Sequence, residues 1–238
     1  MERVVEPEWL DELAASDRRA IRSREDLRRI NRLMGNASLL ANLLRPGMVE
    51  DQSFHLVELG SGDGAFALNL TRRLSATVRV SEITLVDRVV PANALSHEAF
   101  RKRGCTLNVV QADVFDWLAC AGPASILIAN LFLHHFQADE LRKLMELAAE
   151  RSRVFAACEP RRSQWGLAGS RLLGLIGCND VTRHDAVVSI RAGFAGQELS
   201  ALWPRDNQWR FKERAAGLFS HVFMAQRSTP SRTRDAVL

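Results

Sequence analysis

Three acids and a run of glycines carry the densest chemistry in this sequence. Val57-Glu58-Leu59-Gly60-Ser61-Gly62-Asp63-Gly64 places three glycines within five residues, directly behind an apolar run. Glycine lets a backbone turn sharply and come close to a ligand. A helix that follows such a turn points free N–H groups and a positive dipole end at the same ligand. The string also satisfies Gly60-x-Gly62-x-x-Ala65, a dinucleotide fingerprint, so the glycines alone do not choose a ligand. The acids do more. Glu58, two residues before Gly60, would repel a pyrophosphate, and Asp63 adds a second negative charge inside the turn. A cationic ligand tolerates both. Asp87, followed by Arg88, closes the next apolar run 23 residues after Gly64. A carboxylate there can accept from both hydroxyls of a ribose. Asp113 closes a third run, where a carboxylate can accept from an adenine amine while the N–H of Val114 meets a ring nitrogen.

A second set of residues suits proton transfer. His134 and His135 follow a fourth apolar run that ends at Asn130, and His184 stands beside Asp185. An imidazole near neutral pKa can take the proton of a hydroxyl. The chain contains no Tyr, so a Tyr base is excluded.

These residues need a frame that brings strand ends together. Runs at 54–59, 82–86, 107–111, 125–130 and 154–158 read as strands, with helices at 65–74, 92–103 and 139–150 between them. That alternation predicts an α/β fold, a doubly wound, Rossmann-like parallel sheet with helices on both faces. The carboxyl ends of its strands would then share one crevice. Residues 209–213 and 220–226 read as strands six and seven. Their short connection makes them an antiparallel hairpin. Residues 8–45 read as helix broken at Gly35-Asn36, with Asn36 as a cap for 37–44. The segment 161–195 reads as less regular, with an apolar helix at 166–176, Trp165 as core or lid, and a polar stretch at 179–185. A short helix follows at 197–203. The organisation expected is a helical cover at 1–50, a main domain at 51–227 and a disordered tail at 228–238.

Composition narrows the class. The chain has 238 residues, 47% of them hydrophobic and 25% charged, enough to bury one full core. The net charge of +4 is scattered as arginine pairs rather than gathered in a basic arm, which argues against a nucleic-acid partner. The four cysteines show no zinc or disulfide spacing, and no metal site is visible. The acidic first residues do not read as a signal peptide, and no apolar stretch is long enough to span a bilayer. The expected location is the cytoplasm.

Together, these motifs resemble the class I methyltransferases that use S-adenosyl-L-methionine (SAM), over residues 54–226. Glu58-Leu59-Gly60-Ser61-Gly62-Asp63-Gly64 looks like that family's first motif, Asp87 like its ribose acid, Ala112-Asp113 like its adenine acid, and Ile126 to Asn130 like its fourth strand. The resemblance implies a seven-stranded sheet closed by the antiparallel hairpin, with SAM as cofactor and S-adenosyl-L-homocysteine (SAH) as product. It implies that Glu58, Gly60, Ser61, Gly62, Gly64 and Asn130 line the methionine side, Asp87 and Arg88 the ribose, and Asp113 and Val114 the adenine. No Asn/Asp-Pro-Pro-aromatic motif follows the fourth strand, which argues against methylation of nucleic-acid bases. Leu133-His134-His135, with Arg29 to Gly35 and Arg183-His184-Asp185, instead resembles enzymes that tailor phenols, quinones and polyketides. The expectation is methyl transfer to a small-molecule hydroxyl, with His134, His135 and His184 as candidate bases. C-methylation comes second. An NAD-dependent oxidoreductase and a non-catalytic SAM-binding subunit are the rivals. The N-terminal helices could serve as a lid or as a homodimer surface.

Overall fold

The computed structural model describes residues 1–14, 16–48, 53–74, 78–90 and 97–228. Its helices are α1 (Trp9–Glu12), α2 (Arg18–Met34), α3 (Asn36–Leu44), α4 (Ala65–Leu74), α5 (His97–Arg101), α6 (Val114–Cys120), α7 (Ala138–Arg151), α8 (Gln164–Arg171), α9 (Asp180–Ala192) and α10 (Glu198–Leu202). Its strands are β1 (Ser53–Leu59), β2 (Arg79–Asp87), β3 (Thr106–Gln111), β4 (Ala124–Asn130), β5 (Ser152–Pro160), β6 (Trp209–Ala216) and β7 (Ser220–Arg227).

The strands form one sheet in the order β3-β2-β1-β4-β5-β7-β6. The first five are parallel; β7 runs antiparallel to both β5 and β6. The central strands are buried on both faces, so they read as continuous apolar runs rather than alternating ones. Alternate residues nevertheless go to opposite sides. Leu56, Ile126, Ile128 and Ala156 pack with Leu40 and Leu44 of α3 and Leu70 and Leu74 of α4. Val57, Leu127, Phe155 and Ala157 pack with Leu141, Leu144 and Met145 of α7 and with Trp203. Each such fully buried side chain contributes roughly 1.5–3 kcal/mol. α3 is therefore an ordinary sheet-covering helix, although the sequence groups it with the cover.

Four local expectations change. Residues 8–45 are not one helical stretch: α2 starts at Arg18, where the Asp17 side chain accepts from the Arg19 N–H at 2.7 Å. Asn36 does not cap α3. Gly35, at φ +68°, takes the turn, and Asn36 points inward and is fully buried. Residues 179–185 are not irregular; they open the 13-residue helix α9, capped by Asn179, whose side chain accepts from Thr182 N–H at 2.9 Å. The apolar helix at 166–176 ends at Arg171 and continues as a 3-10 turn, Leu173–Ile176. The expected boundary at 50/51, the start of the 92–103 helix and the tail from 229 lie outside the described residues.

Candidate active site

The glycine turn leaves β1 with Gly60 at φ +66° and Gly64 at φ +79°, left-handed conformations that disfavour any Cβ. Space demands glycine as well. A Cβ on Gly60 would lie 2.1 Å from the Phe132 ring, and one on Gly64 2.6 Å from Leu85. The turn is thus pressed between the chain leaving β4 and strand β2. It hangs on β2 through Gly60 and Ser61 N–H, which donate to Val86 O at 2.9 and 3.2 Å.

Three carboxylates ring this turn. Glu58 is buried and, among the described residues, accepts a single long bond, from Ala67 N–H at 3.2 Å. Burial, with Asp63 and Asp87 nearby, pushes its carboxyl well above the ordinary range. Asp63 accepts from Ala65 N–H at 2.9 Å and pairs with Arg28 of α2, which fastens that helix to the turn. Asp87 accepts from Gly62 N–H at 2.7 Å and from Val89 N–H at 2.9 Å. Arg88 is exposed, and its carbonyl accepts from Gln111. Asp113 caps α6, accepting from Phe115 N–H at 2.8 Å, while Val114 is buried in the first turn of that helix. Helix α6 had no counterpart in the sequence reading. Asn130 is buried, and both ends of its amide are used. Its Nδ2 donates to Asn31 Oδ1 and its Oδ1 accepts from Asn36 Nδ2, each at 3.2 Å. Asn36 also donates to Asn31 and accepts from Ser220 Oγ, so Asn130 ties α2 and α3 to the strand end.

The acid excess suits a cation and would oppose a pyrophosphate. Gly60 to Gly64, Glu58 and Asp87 lie together at the carboxyl ends of β1 and β2, and Asp113 follows the end of β3. The residues present fit an adenosine ligand that carries positive charge.

The histidines follow Phe132, whose ring lies against Gly60, and sit under the N-terminal segment. Leu131, at φ +51°, turns the chain after β4 into a 3-10 turn, Leu133–His135. His134 is buried between two carboxylates. Its Nδ1 faces Glu159 Oε2 at 2.8 Å and its Nε2 faces Glu8 Oε1 at 3.3 Å. Glu159, fully buried at the end of β5, also accepts from Phe132 and Leu133 N–H at 3.0 Å each. Burial opposes a charge on His134, but the two carboxylates outweigh it and raise its pKa to about 9. Glu8 responds in the opposite direction. Burial resists its ionisation, yet His134, His135 and Ser189 bring its pKa down to about 2.

His135 differs from its neighbour. It is 28% exposed, and its nitrogens lie 3.6 Å from Glu8 and from Asp11. Burial and the charge on His134 lower its pKa. It opens on a cavity of about 170 Å³ lined also by Val5, Pro7, Glu8, Asp11 and Gln137. The ligand atoms of Glu8, His134 and His135 lie within 4.8 Å of one another, a group that could hold a metal ion and that the sequence reading did not see. Both nitrogens of His134 already face carboxylates, so the group is satisfied internally.

His184 plays a different part. Its Nδ1 faces Asp185 Oδ1 at 2.9 Å, because the two residues sit on a helix rather than in an extended stretch. Asp185 accepts from Trp9 and Leu10 N–H at 2.9 and 3.0 Å, and the Trp9 ring stacks on His184 at 3.8 Å. Arg3 reaches the carbonyls of His134, Phe136 and Ala192. The first thirteen residues thus form a strap across α9 and the His134–His135 turn. The sequence reading missed Glu8, Asp11, Phe132 and Glu159. Glu159 had a signal, since it closes β5 as Asp87 closes β2. Glu8 had none, because its partners lie 126 and 181 residues away.

Comparison with known proteins agrees with this layout. Residues 56–153 match the family model described as a methyltransferase domain. No curated protein matches the sequence. Among solved structures, the plantazolicin methyltransferase BamL, in complex with a triazolic desmethylPZN analog and SAH, is similar with a TM-score of 0.65 at 10% identity; the alignment covers 92% of this chain and 93% of that one. The plantazolicin methyltransferase BpumL, in complex with SAH, gives 0.64 at 12% identity, covering 90% and 92%. An O-methyltransferase family protein from Burkholderia thailandensis gives 0.58 at 18% identity; it matches 90% of this chain, which spans 61% of that protein's length. At such identities the likeness speaks for the fold. The antiparallel β7 lodged between β5 and β6 also departs from the 3-2-1-4-5-6 order of dinucleotide-binding folds, which sets aside the oxidoreductase reading. Residues 56–153 are thus similar to a methyltransferase domain, and the sheet order and the glycine turn with its acids agree with that likeness.

Proposed function

We propose that the chain transfers the methyl group of SAM to a hydroxyl of a small, largely apolar acceptor of the phenol, quinone or polyketide kind. When bound, SAM supplies an electrophilic methyl on a sulfonium and leaves as SAH. Asp87 binds the ribose hydroxyls, Asp113 and the Val114 N–H the adenine, and Glu58 with the Gly60–Gly64 turn the cationic methionine end. His135 takes the hydroxyl proton as the acceptor oxygen bonds to the methyl carbon. His134 is already protonated at neutral pH and does not act as the base; it fixes the turn that carries His135. His184 holds the strap through Trp9. A dry site does not oppose the step, because charge is lost in the transition state.

The observation that carries this reading is the contrast within the histidine pair: His134 buried and charged, His135 partly exposed, held neutral and opening on a cavity. The test is SAM turnover against a panel of phenols, with His135→Asn beside the wild type. The expected result is a kcat lower by about 10²–10⁴ with SAM affinity unchanged, as for loss of a general base. The acid limb of the wild-type pH profile is expected below 6.5, the ordinary histidine value from which His135 is lowered. Unchanged kcat in His135→Asn would remove His135 from the mechanism. C-methylation would show as product methylated on carbon.

A further inference from the structure

A surface patch outside this site exposes large apolar side chains. Trp165 and Leu172, seven residues apart, share one stripe of α8 by helical spacing, and Ile176 lies in the 3-10 turn that follows. The sequence suggests core or lid for Trp165, yet it is 75% exposed, and Leu175 is 83% exposed. Gly169 falls on the same stripe, and a Cβ there would lie 2.7 Å from the Phe219 ring. The β6–β7 hairpin tip, with exposed Leu218 and Phe219, therefore packs beside α8. The six side chains form one apolar knuckle. Exposed apolar clusters of this kind mark contact surfaces.

The two segments that carry the knuckle hold positive charge only. Residues 161–178 contain three arginines and no acid, of which Arg162 is buried against Glu198 and leaves Arg161 and Arg171, and residues 214–219 contain Arg214 and no acid. Arg161 reaches Gly217 O at 3.4 Å, and the Arg183 guanidinium lies against Gly174, where a Cβ would be 3.4 Å away. Arg22 reaches Gly177 O at 3.4 Å. It joins the knuckle to a cleft of about 450 Å³ along α2 lined by Arg22, Arg28, Arg29, Arg32 and Glu25. The nearby acids are taken: Asp26 by Arg29 and Arg22, Asp180 by Arg19.

We propose that this knuckle docks the protein on a bilayer that carries anionic lipid. Trp165 and the leucines enter the headgroup boundary while the arginines keep their charged ends at the phosphates. A second copy of the chain fits less well. A two-fold contact sets each patch against itself, and here that would bring arginines face to face. No spanning helix is involved; among the described residues none is long and apolar enough to cross a membrane.

The test is cosedimentation of the full chain with vesicles of phosphatidylcholine alone and with a third of it replaced by phosphatidylglycerol. Binding is expected only to the anionic vesicles and is expected to fall with salt. Arg171→Gln should weaken it roughly fivefold, as for one interfacial arginine. The double variant Leu172→Asp/Leu175→Asp should abolish it while keeping the wild-type thermal midpoint, because both side chains are exposed. No binding to anionic vesicles, or binding unchanged in the double variant, would overturn the proposal. So would a wild-type dimer in gel filtration that the double variant converts to monomer, since a second copy would then cover the patch.

Discussion

Two buried carboxylates at the ends of nearby strands mark two regions built on opposite principles. Glu58, at the end of β1, has one long hydrogen bond and two other acids for company, so its proton is held. Glu159, two strands over at the end of β5, receives two backbone N–H groups and a protonated histidine. One region is left electrostatically incomplete, and a cationic ligand would complete it. The other completes itself, using an acid from the N-terminal strap. A site that receives a cation can stay incomplete in the free protein; the histidine cluster is closed by its own partners.

The sharpest way to break the contrast is to exchange each carboxylate for its amide. Glu159→Gln leaves the His134 cation buried with a weakened partner, and removing one member of a buried pair costs about 3–5 kcal/mol. Glu58→Gln replaces a carboxyl whose neutral form burial favours and should cost under about 1 kcal/mol while lowering SAM affinity. Urea unfolding of both variants measures this. Equal losses would mean that the two sites are not electrically different.

The same contrast explains what was legible in the sequence. The glycine turn, Asp87 and Asp113 lie within 56 residues and follow one strand-end rule, so local spacing exposed them. All seven strands were readable for the same reason: period and punctuation are local. The histidine cluster joins residues 8, 134, 159 and 189, and nothing local marks such a set. α9 was missed because its opening, Asp180-Val181-Thr182-Arg183-His184-Asp185, is polar and lacks a strong apolar stripe; its order comes from the Asn179 cap and from buried Thr182, which meets Ser23 and Asp26. Asn130 was legible as a strand end, but its bonds to Asn31 and Asn36 were not.

A second, smaller break concerns the turn itself. Gly60→Ala places a Cβ inside the Phe132 ring at a left-handed residue, and should cost about 1–3 kcal/mol together with SAM binding. Phe132→Ala in that background relieves the overlap but not the backbone strain, so only part of the loss should return. Full recovery by the double variant, measured by thermal unfolding, would show that the backbone contributes nothing.

The pair of His134 and Glu8 predicts how the strap responds to pH. His134 is raised from 6.5 to about 9, so its stabilisation is complete below 6.5 and is lost as pH rises through 9. Glu8 is lowered from 4.5 to about 2, so its share is complete above 4.5 and is lost as pH falls toward 2. The strap should therefore be held best between pH 4.5 and 6.5 and loosen above 9. Protease cleavage between residues 1 and 17, followed against pH, reads this directly. In Glu8→Gln the alkaline loosening should begin at lower pH, because His134 loses a partner. Cleavage independent of pH in both proteins would detach the strap from the histidine.

The smallest expected effect belongs to Glu58. Its raised pKa favours the protonated form in the free protein, through burial and the charges of Asp63 and Asp87. A cation arriving at the turn favours the ionised form, so SAM binding should release protons. The sign follows from linkage: affinity rises with pH until Glu58 is ionised in the free protein, then levels. Calorimetry in two buffers of different ionisation enthalpy counts the protons released, with about one expected as the upper limit. In Glu58→Gln the release should vanish. Release that persists in that variant would show that the proton does not come from Glu58 and would detach the electrostatic incompleteness from the buried strand end.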